Sequence, residues 1–528
     1  MSEIRALDSH DPANWMKANK WVVALTVVFG AFMAVMDTTV VNVAMPHMMG
    51  TFGQDLSAIT WVATGYSIAE IIMVTMAAWW SAVLGRKRLY LLSFALFTVG
   101  SILCGTSTNF TQMIIYRVIQ GIGGGSLIPI SQAILRESFP QEEQGMAMAV
   151  YGMAVVIAPA VGPILGGWLT DNYGWQWIFY INVPVSIVGM MLVMAYVQDP
   201  PYLVRGVKSI DWQGIALLTV CLTGLQVVLE RGQEDNWFQS QFIVWGPVIT
   251  VVAALALIFW ELRAREPIVP IRLLRNVPLS MGSIIGLVFG VGLFGTTFIL
   301  PQFTQELLGY PAFQSGLILA PRALTLLLMM PVAGWAYRYV DPRILVLIGM
   351  AIIAWTYYDL SRLSMEAGFW TIVPALLLMG AGMPFMFVTL STVALSTVRR
   401  EEMTAASSLY TLARRVGGNL GYAMAATLIA RGTQVQRTHL VNRVGWSMQW
   451  EQFKSHMSAA LQSRGVPLSQ AAHAVLAVAN RMINQQARMM AYNSLSIILG
   501  LTFVLVLPLI LFLPGRMRGG KVEPAVAE

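Results

Sequence analysis

The chain has 528 residues, of which 56% are hydrophobic and only 11% are charged. An average soluble domain is roughly one quarter charged, so this composition excludes an ordinary soluble protein and predicts a polytopic membrane protein. The net charge of +7 therefore bears on orientation in the membrane, and we expect no nucleic-acid partner. Cys104 and Cys221 lie in apolar runs and the five histidines form no ligand-spaced cluster, so we expect no disulfide, metal site or bound cofactor.

Fourteen segments are long and apolar enough to cross a bilayer, which takes about 20 residues. Their approximate bounds are 21–43, 58–80, 89–106, 111–134, 145–169, 177–197, 212–230, 242–262, 279–303, 313–337, 343–361, 370–396, 404–430 and 491–513. No small-residue cleavage site follows the first of them, so residues 1–20 are interpreted as an uncleaved tail. The sequence predicts an all-α fold with fourteen spans.

Lysine and arginine are distributed unevenly between the two sides of the membrane. The connections on the side of both termini hold fourteen of them, whereas the short connections on the other side hold only Arg231 and Arg362. Because basic residues collect in cytoplasmic loops, both terminal tails, 1–20 and 514–528, are predicted to be cytoplasmic.

Polar, charged segments separate two spans in the linker 198–278 from six spans on either side. We predict an N-terminal six-helix bundle at 21–197 and a C-terminal one at 279–513, the layout of transporters with a site between two bundles. The outer connection 431–490 contains a stretch, 469–490, that suits an amphipathic helix. We interpret this connection as a folded cap over the last two spans, with a docking surface for an extracytoplasmic partner as the alternative.

An acidic residue, Asp37, lies inside the first span. A carboxylate in hydrocarbon costs roughly 3 kcal/mol on insertion scales unless it meets a cavity or a partner. Counting along the helices at ~1.5 Å per residue places Arg117 of the fourth span at similar depth. A buried acid and base lower each other's desolvation cost. We expect Asp37 to exchange protons with Arg117 as its partner; a static structural ion pair is the alternative.

Other polar residues also lie at membrane depth. Glu70, in the middle of the second span, is a candidate second proton site or part of a pocket for cationic lipophiles; a neutral Glu that bonds a neighbouring helix is the alternative. Arg415 is expected to reach the cytoplasmic surface. The residues assigned to a substrate cavity are Thr38, Asn42, Gln120, Arg322 and Arg414.

Several of these residues stand in recognisable motifs. Asp37 to Pro46 resembles the family signature Leu-Asp-x-Thr-x-x-Asn-x-Ala-x-Pro, with Met36 in place of the leucine. Arg117 to Gly123 is similar to a fourth-helix motif whose arginine is implicated in proton coupling. Span 5 resembles the antiporter motif associated with export, through Gly152, Pro159, Gly162, Pro163, Gly166 and Gly167. The chain therefore resembles the 14-span drug:proton antiporters of the major facilitator superfamily, and within them the EmrB-type exporters.

The loop between spans 2 and 3 departs from that family's pattern. Ala82 and Val83 stand where the family has an aspartate and an arginine, so the usual charged latch of the inner gate is missing. We expect the basic run that follows to take its place, and the second half keeps an acidic and a basic residue in the corresponding loop. The residues assigned to the inner gate are Arg86, Lys87, Asp341 and Arg343.

The resemblance implies proton-driven export of amphiphilic or lipophilic compounds (multidrug efflux) from the bacterial inner membrane by alternating access. By the same analogy, a periplasmic adaptor and an outer-membrane channel would complete the path. The alternatives are a narrow-substrate exporter of a lipid, fatty acid or siderophore, a nutrient importer, and a non-transport membrane enzyme or scaffold. No nucleotide-binding or catalytic motif is visible, so a proton gradient is the expected energy source.

Overall fold

The computed structural model describes residues 18–200, 211–232, 237, 241–264, 267–444, 448–463 and 467–515. Most of the predicted tails 1–20 and 514–528, and residues 201–210 of the predicted linker, lie outside the described residues. Fourteen long helices, α1 to α14, follow one another along the described chain. In order they are Lys20–Phe52, Trp61–Leu84, Arg86–Gly105, Phe110–Ser138, Gln144–Tyr173, Asn182–Tyr196, Trp212–Arg231, Gln241–Glu261, Val277–Gln302, Ala312–Tyr339, Pro342–Leu360, Phe369–Val393, Met403–Val444 and Leu468–Leu505.

Two four-residue helices, Leu56–Ile59 and Trp177–Tyr180, a 16-residue helix in the outer connection, Met448–Ser463, and a few single turns complete the secondary structure, and the described residues form no strand. The predicted all-α fold is confirmed. Thirteen of the described helical segments are long and apolar enough to cross a membrane. The exception is α13, which carries polar residues such as Arg414, Arg415 and Asn419 within its span yet packs between α9 and α14.

Local sequence explains where several helices begin and end. The side chain of Asn19 accepts a hydrogen bond from the backbone N–H of Trp21 at 2.9 Å and so caps α1. Asn109 caps α4 in the same way through Gln112 N–H. Gly53 ends α1 with a φ of +61°, a left-handed conformation that favours glycine.

The helices pack as two groups of six with a pair beside them. In the N-terminal half, α1 packs on α5 and α4, while α4 also contacts α2 and α3, and α6 contacts α1 and α3. In the C-terminal half, α12 packs on α10 and α11, and α13 on α9 and α14. The remaining pair, α7 and α8, pack on each other, and α7 lies against α2 and α13 at the side of both halves.

The two halves meet along α5 with α10 and α12, and along α2 and α4 with α13. The backbones approach closely at the predicted cytoplasmic ends of α5 and α10, where a Cβ added to Gly334 would lie 2.9 Å from the carbonyl oxygen of Gly145. On the same side, Arg136 donates a hydrogen bond to the carbonyl of Thr392 at 2.6 Å. The molecule is therefore closed between its halves on the predicted cytoplasmic side.

The outer connection 431–490 differs from the predicted cap. Its amphipathic stretch 469–490 is helical, but it forms the first part of α14, while α13 continues through residue 444. The 42 residues of α13 span about 63 Å, roughly twice the hydrocarbon thickness of a bilayer. Arg437 of α13 donates to Asn480 of α14 at 3.1 Å, so the last two spans project beyond the membrane as a helix pair. No proline interrupts either projecting stretch, which explains why the helices continue.

Candidate proton-coupling and substrate sites

Asp37 lies at the centre of a buried polar network within the N-terminal half. Asp37 is only 2% exposed. Oδ2 accepts a hydrogen bond from Arg117 Nη1 of α4 at 2.6 Å. Oδ1 accepts from Gln120 Nε2 at 2.8 Å and from Asn182 Nδ2 of α6 at 2.9 Å. All three partners are donors, and an ionised carboxylate accepts from all of them. The predicted contact between Asp37 and Arg117 is present.

Arg117 also connects this network to α2. Its Nε donates to the backbone carbonyl of Val62 at 3.0 Å, and its guanidinium lies 4.3 Å from the centre of the Tyr66 ring. Helices α2 and α4 approach closely because Gly121 faces α2, where an added Cβ would lie 2.5 Å from the carbonyl oxygen of Tyr66. Arg117 therefore holds a carboxylate of α1 and a backbone group of α2 at the same time.

The three polar residues assigned to a cavity in the N-terminal half occupy different places. Gln120 has no exposed surface and hydrogen-bonds Asp37 and Ser101 (2.7 Å), so its assignment to an open substrate cavity is corrected: it belongs to the Asp37 network. Residues three apart on a helix share a face, which places Gln120 beside Arg117. Thr38 is half-buried and donates to the carbonyl of Val35, whereas Asn42 is exposed.

Glu70 forms an ion pair across the boundary between the two halves. Its Oε1 lies 2.5 Å from Nη2 of Arg415 in α13, and the two side chains are 5% and 21% exposed. The expectation that Arg415 reaches the cytoplasmic surface is therefore wrong, because its guanidinium points to Glu70 in the middle of α2. None of the three interpretations offered for Glu70 included an arginine from the other half.

The two remaining arginines assigned to the cavity have different surroundings. The guanidinium of Arg414 lies over the ring of Phe387, 5.0 Å from its centre. Arg322 Nη2 donates to the hydroxyl of Thr297 at 3.2 Å, while its Nη1 is buried without a hydrogen-bond partner. Both residues lie on helices that contact the N-terminal half, α13 and α10.

The glycines and prolines of the span 5 motif lie in α5. Small residues there let α1 approach: a Cβ added to Gly162 would lie 2.1 Å from the hydroxyl of Thr39, and one added to Gly166 would lie 3.0 Å from Val40. Gly167 lies nearest Val43, with more room. The prolines Pro159 and Pro163 both lie inside the helix, and Gly152 faces Met330 and Phe387 of the C-terminal half.

The residues assigned to the inner gate do not act as one group. Arg86 is buried, pairs with Glu137 at the end of α4 and donates to the carbonyl of Arg400 in the other half at 3.3 Å. The other three differ from expectation. Lys87 donates to the carbonyl of Met194 at 2.7 Å, within its own half. Asp341 caps α11, and Arg343 donates to the carbonyl of Leu513 at 2.7 Å, so these two organise the start of α11.

Sequence reasoning missed five residues that complete these sites. Asn182 contacts Asp37 across 145 residues of chain, and Ser101 accepts from Gln120. Arg136 links the halves on the predicted cytoplasmic side, as does a hydrogen bond from Thr411 to Gln132 at 3.2 Å. The available signal was polarity within an apolar run, since each of these side chains is buried inside a predicted span or at its end.

Comparison with known proteins agrees with this architecture. Residues 27–422 match the model of the family described as Major Facilitator Superfamily. The chain is 33% identical to the multidrug export protein EmrB of Escherichia coli K12 over 80% of this chain and 83% of that protein. It is 29% identical to the fatty acid resistance protein FarB of Neisseria gonorrhoeae over 93% and 95% of the two chains. The crystal structure of the human organic anion transporter MFSD10 superposes with a TM-score of 0.58, at 14% identity over 92% of this chain and all of that one.

Proposed function

The chain belongs to the major facilitator superfamily, and from that premise we propose that it is a proton-coupled exporter of amphiphilic or lipophilic compounds working by alternating access. It is a transporter rather than an enzyme, and a multi-pass protein of the inner membrane. The observation that carries the proposal is the buried network in which Asp37 accepts hydrogen bonds from Arg117, Gln120 and Asn182.

The geometry suggests how a proton would move the helices. A proton arriving on Asp37 removes the negative charge that balances Arg117. It also turns one carboxylate oxygen into an O–H donor, in a group that already has three donors around it. Arg117 is also bonded to the carbonyl of Val62 in α2, so a change in its position is transmitted to that helix. Eight residues further along α2, Glu70 holds Arg415 of the opposite half. Protonation is thus connected to the contact between the halves through one helix.

The contacts between the two halves on the predicted cytoplasmic side control access from the cytoplasm in the transport cycle. Arg86 and Arg136 of the N-terminal half donate to carbonyls of the C-terminal half, and these bonds close the predicted cytoplasmic side. We infer that substrate enters from the cytoplasm or the inner leaflet when these bonds are broken and leaves outward when they are formed. We propose that both termini lie in the cytoplasm, because basic residues are in excess in the connections on that side.

The projecting helix pair is proposed as the docking surface for a periplasmic adaptor, with an outer-membrane channel completing the path. Beyond the membrane the pair exposes apolar side chains that include Val435, Val441, Leu476 and Met482. Exposed apolar surface is typical of protein contacts. Replacing two of them, Leu476 and Met482, by Ser should abolish co-purification of the adaptor; unchanged co-purification would contradict this assignment.

A narrow-substrate exporter of a lipid or fatty acid is kept as the second candidate. FarB, whose name states resistance to fatty acids, matches nearly the whole chain, and the helix skeleton would serve either role. Only the range of transported compounds separates the two.

The test is efflux in vesicles with an imposed pH gradient, across a panel of cationic, neutral and anionic amphiphiles. We expect gradient-dependent transport of several chemically different compounds, and its loss in Asp37→Asn at unchanged amounts of protein in the membrane. Transport of a single compound would favour the narrow-substrate role. Gradient-dependent transport that survives in Asp37→Asn would remove Asp37 from the mechanism.

A further inference from the structure

Helix α7, the first of the two inserted helices, lies where the two halves of the molecule meet. It contacts α2 of the N-terminal half and α13 of the C-terminal half. At its outer end, the guanidinium of Arg231 lies 5.5 Å from the centre of the Trp61 ring, at the start of α2. The ion pair of Glu70 with Arg415 joins the same two helices. The inserted helix therefore packs against both helices that carry this pair.

A chain of side-chain hydrogen bonds attaches α7 to α13. Asn419 Nδ2 of α13 donates to Oε1 of Gln226, and Gln226 Nε2 donates to Oε1 of Glu230 one turn further along α7. Gln226 is only 1% exposed, and a buried amide is costly unless its polar atoms have partners. Since Glu230 accepts from the nitrogen of the Gln226 amide, the amide oxygen is directed at Asn419. The contact between the two helices is thus defined in orientation as well as in place.

Asn419 and Arg415 share one face of α13. They are four residues apart in a continuous helix, so their side chains point about 40° apart. Arg415 reaches Glu70 on α2 from this face, and Asn419 reaches the neighbouring α7. Arg414 points about 100° away from Arg415 and lies over the ring of Phe387. The rotation of α13 about its own axis therefore decides which arginine meets Glu70.

We propose that α7 sets this rotation, with Gln226 and Asn419 as positioning residues that keep Arg415 directed at Glu70. The inserted helices then have a role in holding the two halves together, beyond the export function proposed above. Turning α13 away from Glu70 breaks the bond between the two amides at the same time. Without that bond α13 turns more freely, and the guanidinium of Arg415 is paired for a smaller fraction of the time.

The test measures how often the two halves separate in the purified full-length protein. Thr411 has no exposed surface and donates to Gln132 of the opposite half. In a background without Cys104 and Cys221, a cysteine in place of Thr411 is reached by a water-soluble maleimide only when the halves part. Labelling rates are compared on protein that elutes as a single size-exclusion peak, so that unfolded material does not contribute.

Removing the bond between the amides should raise the labelling rate. We expect about a fivefold rise in Gln226→Leu, the usual effect of losing one neutral hydrogen bond, and the same rise in Asn419→Leu. Exchanging the two amides, Gln226→Asn with Asn419→Gln, should return the rate toward that of the unaltered protein. In a Glu70→Gln background Gln226→Leu should add nothing, because Arg415 no longer has a carboxylate to be directed at.

A second bond between the inserted helices and α13 provides the control. Trp237, in the connection between α7 and α8, donates through Nε1 to the hydroxyl of Thr427 at 3.1 Å, two turns further out on α13 than Asn419. Thr427→Val should leave the labelling rate unchanged. An unchanged rate in Gln226→Leu would overturn the proposal. So would an equal rise with and without the charge of Glu70, since α7 would then hold α13 without acting on the ion pair.

The outcome is separable from that of the export function, because labelling requires neither a proton gradient nor a substrate. Unchanged labelling in Gln226→Leu would remove the role of α7 and leave the exporter intact. The expected labelling pattern without any gradient-driven efflux would support the positioning role and contradict the proposed function.

Discussion

Replacing Glu70 by Gln should shift the protein toward the conformation that is open to the cytoplasm. Glu70 and Arg415 join α2 to α13 at membrane depth, in a conformation whose cytoplasmic side is closed. Glutamine keeps the size and a hydrogen-bonding group but removes the negative charge. Arg415 is then left without its counter-charge, so the closed arrangement loses stability relative to one in which the halves separate and water reaches the guanidinium.

The magnitude follows from the burial of the pair. Removing one partner of a fully buried ion pair costs about 3–5 kcal/mol, and exposed pairs contribute at most about 1 kcal/mol. Glu70 is 5% exposed and Arg415 21%, so we take an intermediate cost of about 2 kcal/mol. At about 1.4 kcal/mol for each factor of ten, the equilibrium moves about 30-fold toward the open conformation.

Labelling of a cysteine at Thr411 measures this shift. Thr411 has no exposed surface and donates to Gln132 across the halves, on the predicted cytoplasmic side of the Glu70 pair. In a background without Cys104 and Cys221, Thr411→Cys should react with a water-soluble maleimide about 30-fold faster when Glu70→Gln is present.

Two controls belong to the same experiment. Glu306→Gln breaks an exposed pair with Arg488 at the outer side and should leave the rate unchanged. Exchanging the two charges, Glu70→Arg with Arg415→Glu, should bring the rate back toward that of the unaltered protein. A labelling rate in Glu70→Gln that stays the same or falls would refute the assignment of this pair as a contact that holds the halves together.

Three other variants test separate contacts. Arg117→Lys should lower gradient-driven efflux at least about tenfold at normal expression, because an ammonium cannot hold both Asp37 and the α2 backbone; full activity would show that a point charge is enough. Gly162→Ala should reduce the amount of folded protein, measured as size-exclusion yield, because the added Cβ meets the Thr39 hydroxyl. Adding Thr39→Ala should restore part of the yield. A normal yield of Gly162→Ala alone would contradict the close packing of α1 on α5. Arg86→Gln should raise labelling at the cytoplasmic side, and an unchanged rate would count against Arg86 as a link between the halves.

Depth along a helix was readable from the sequence, and it predicted the contact of Asp37 with Arg117. Each residue lies in a span of known direction, so counting residues gave matched heights. Gln120 follows Arg117 by three positions and so shares its helical face, but the sequence analysis did not use this spacing and assigned Gln120 to the substrate cavity. The fold class followed from the length of the apolar segments alone. Because those segments end at the membrane surface, they predicted the membrane spans but not the helical extensions of α13 and α14 beyond it.

The contacts of Arg415 and Lys87 could not be predicted in the same way. Successive residues on a helix point about 100° apart, so Arg414 and Arg415 face different neighbours although they lie at the same depth. Which of them meets Glu70 depends on how the two halves are packed. Lys87 and Arg86 differ for the same reason: one faces α6 and the other faces α4 and the opposite half. The sequence showed that Asn182 is a polar residue in an apolar run, but it did not indicate its partner, because Asp37 lies 145 residues away.

The proton-carrying role of Asp37 is tested most directly by comparing two kinds of transport in the same vesicles. Counterflow exchanges labelled for unlabelled substrate without a gradient, whereas accumulation against a concentration difference requires the proton gradient. Asp37→Asn should keep counterflow and lose gradient-driven accumulation, and the double variant with Arg117→Gln, which leaves no unbalanced charge, should behave in the same way. Accumulation that persists in Asp37→Asn would contradict the account, as would equal loss of counterflow and accumulation in correctly folded protein.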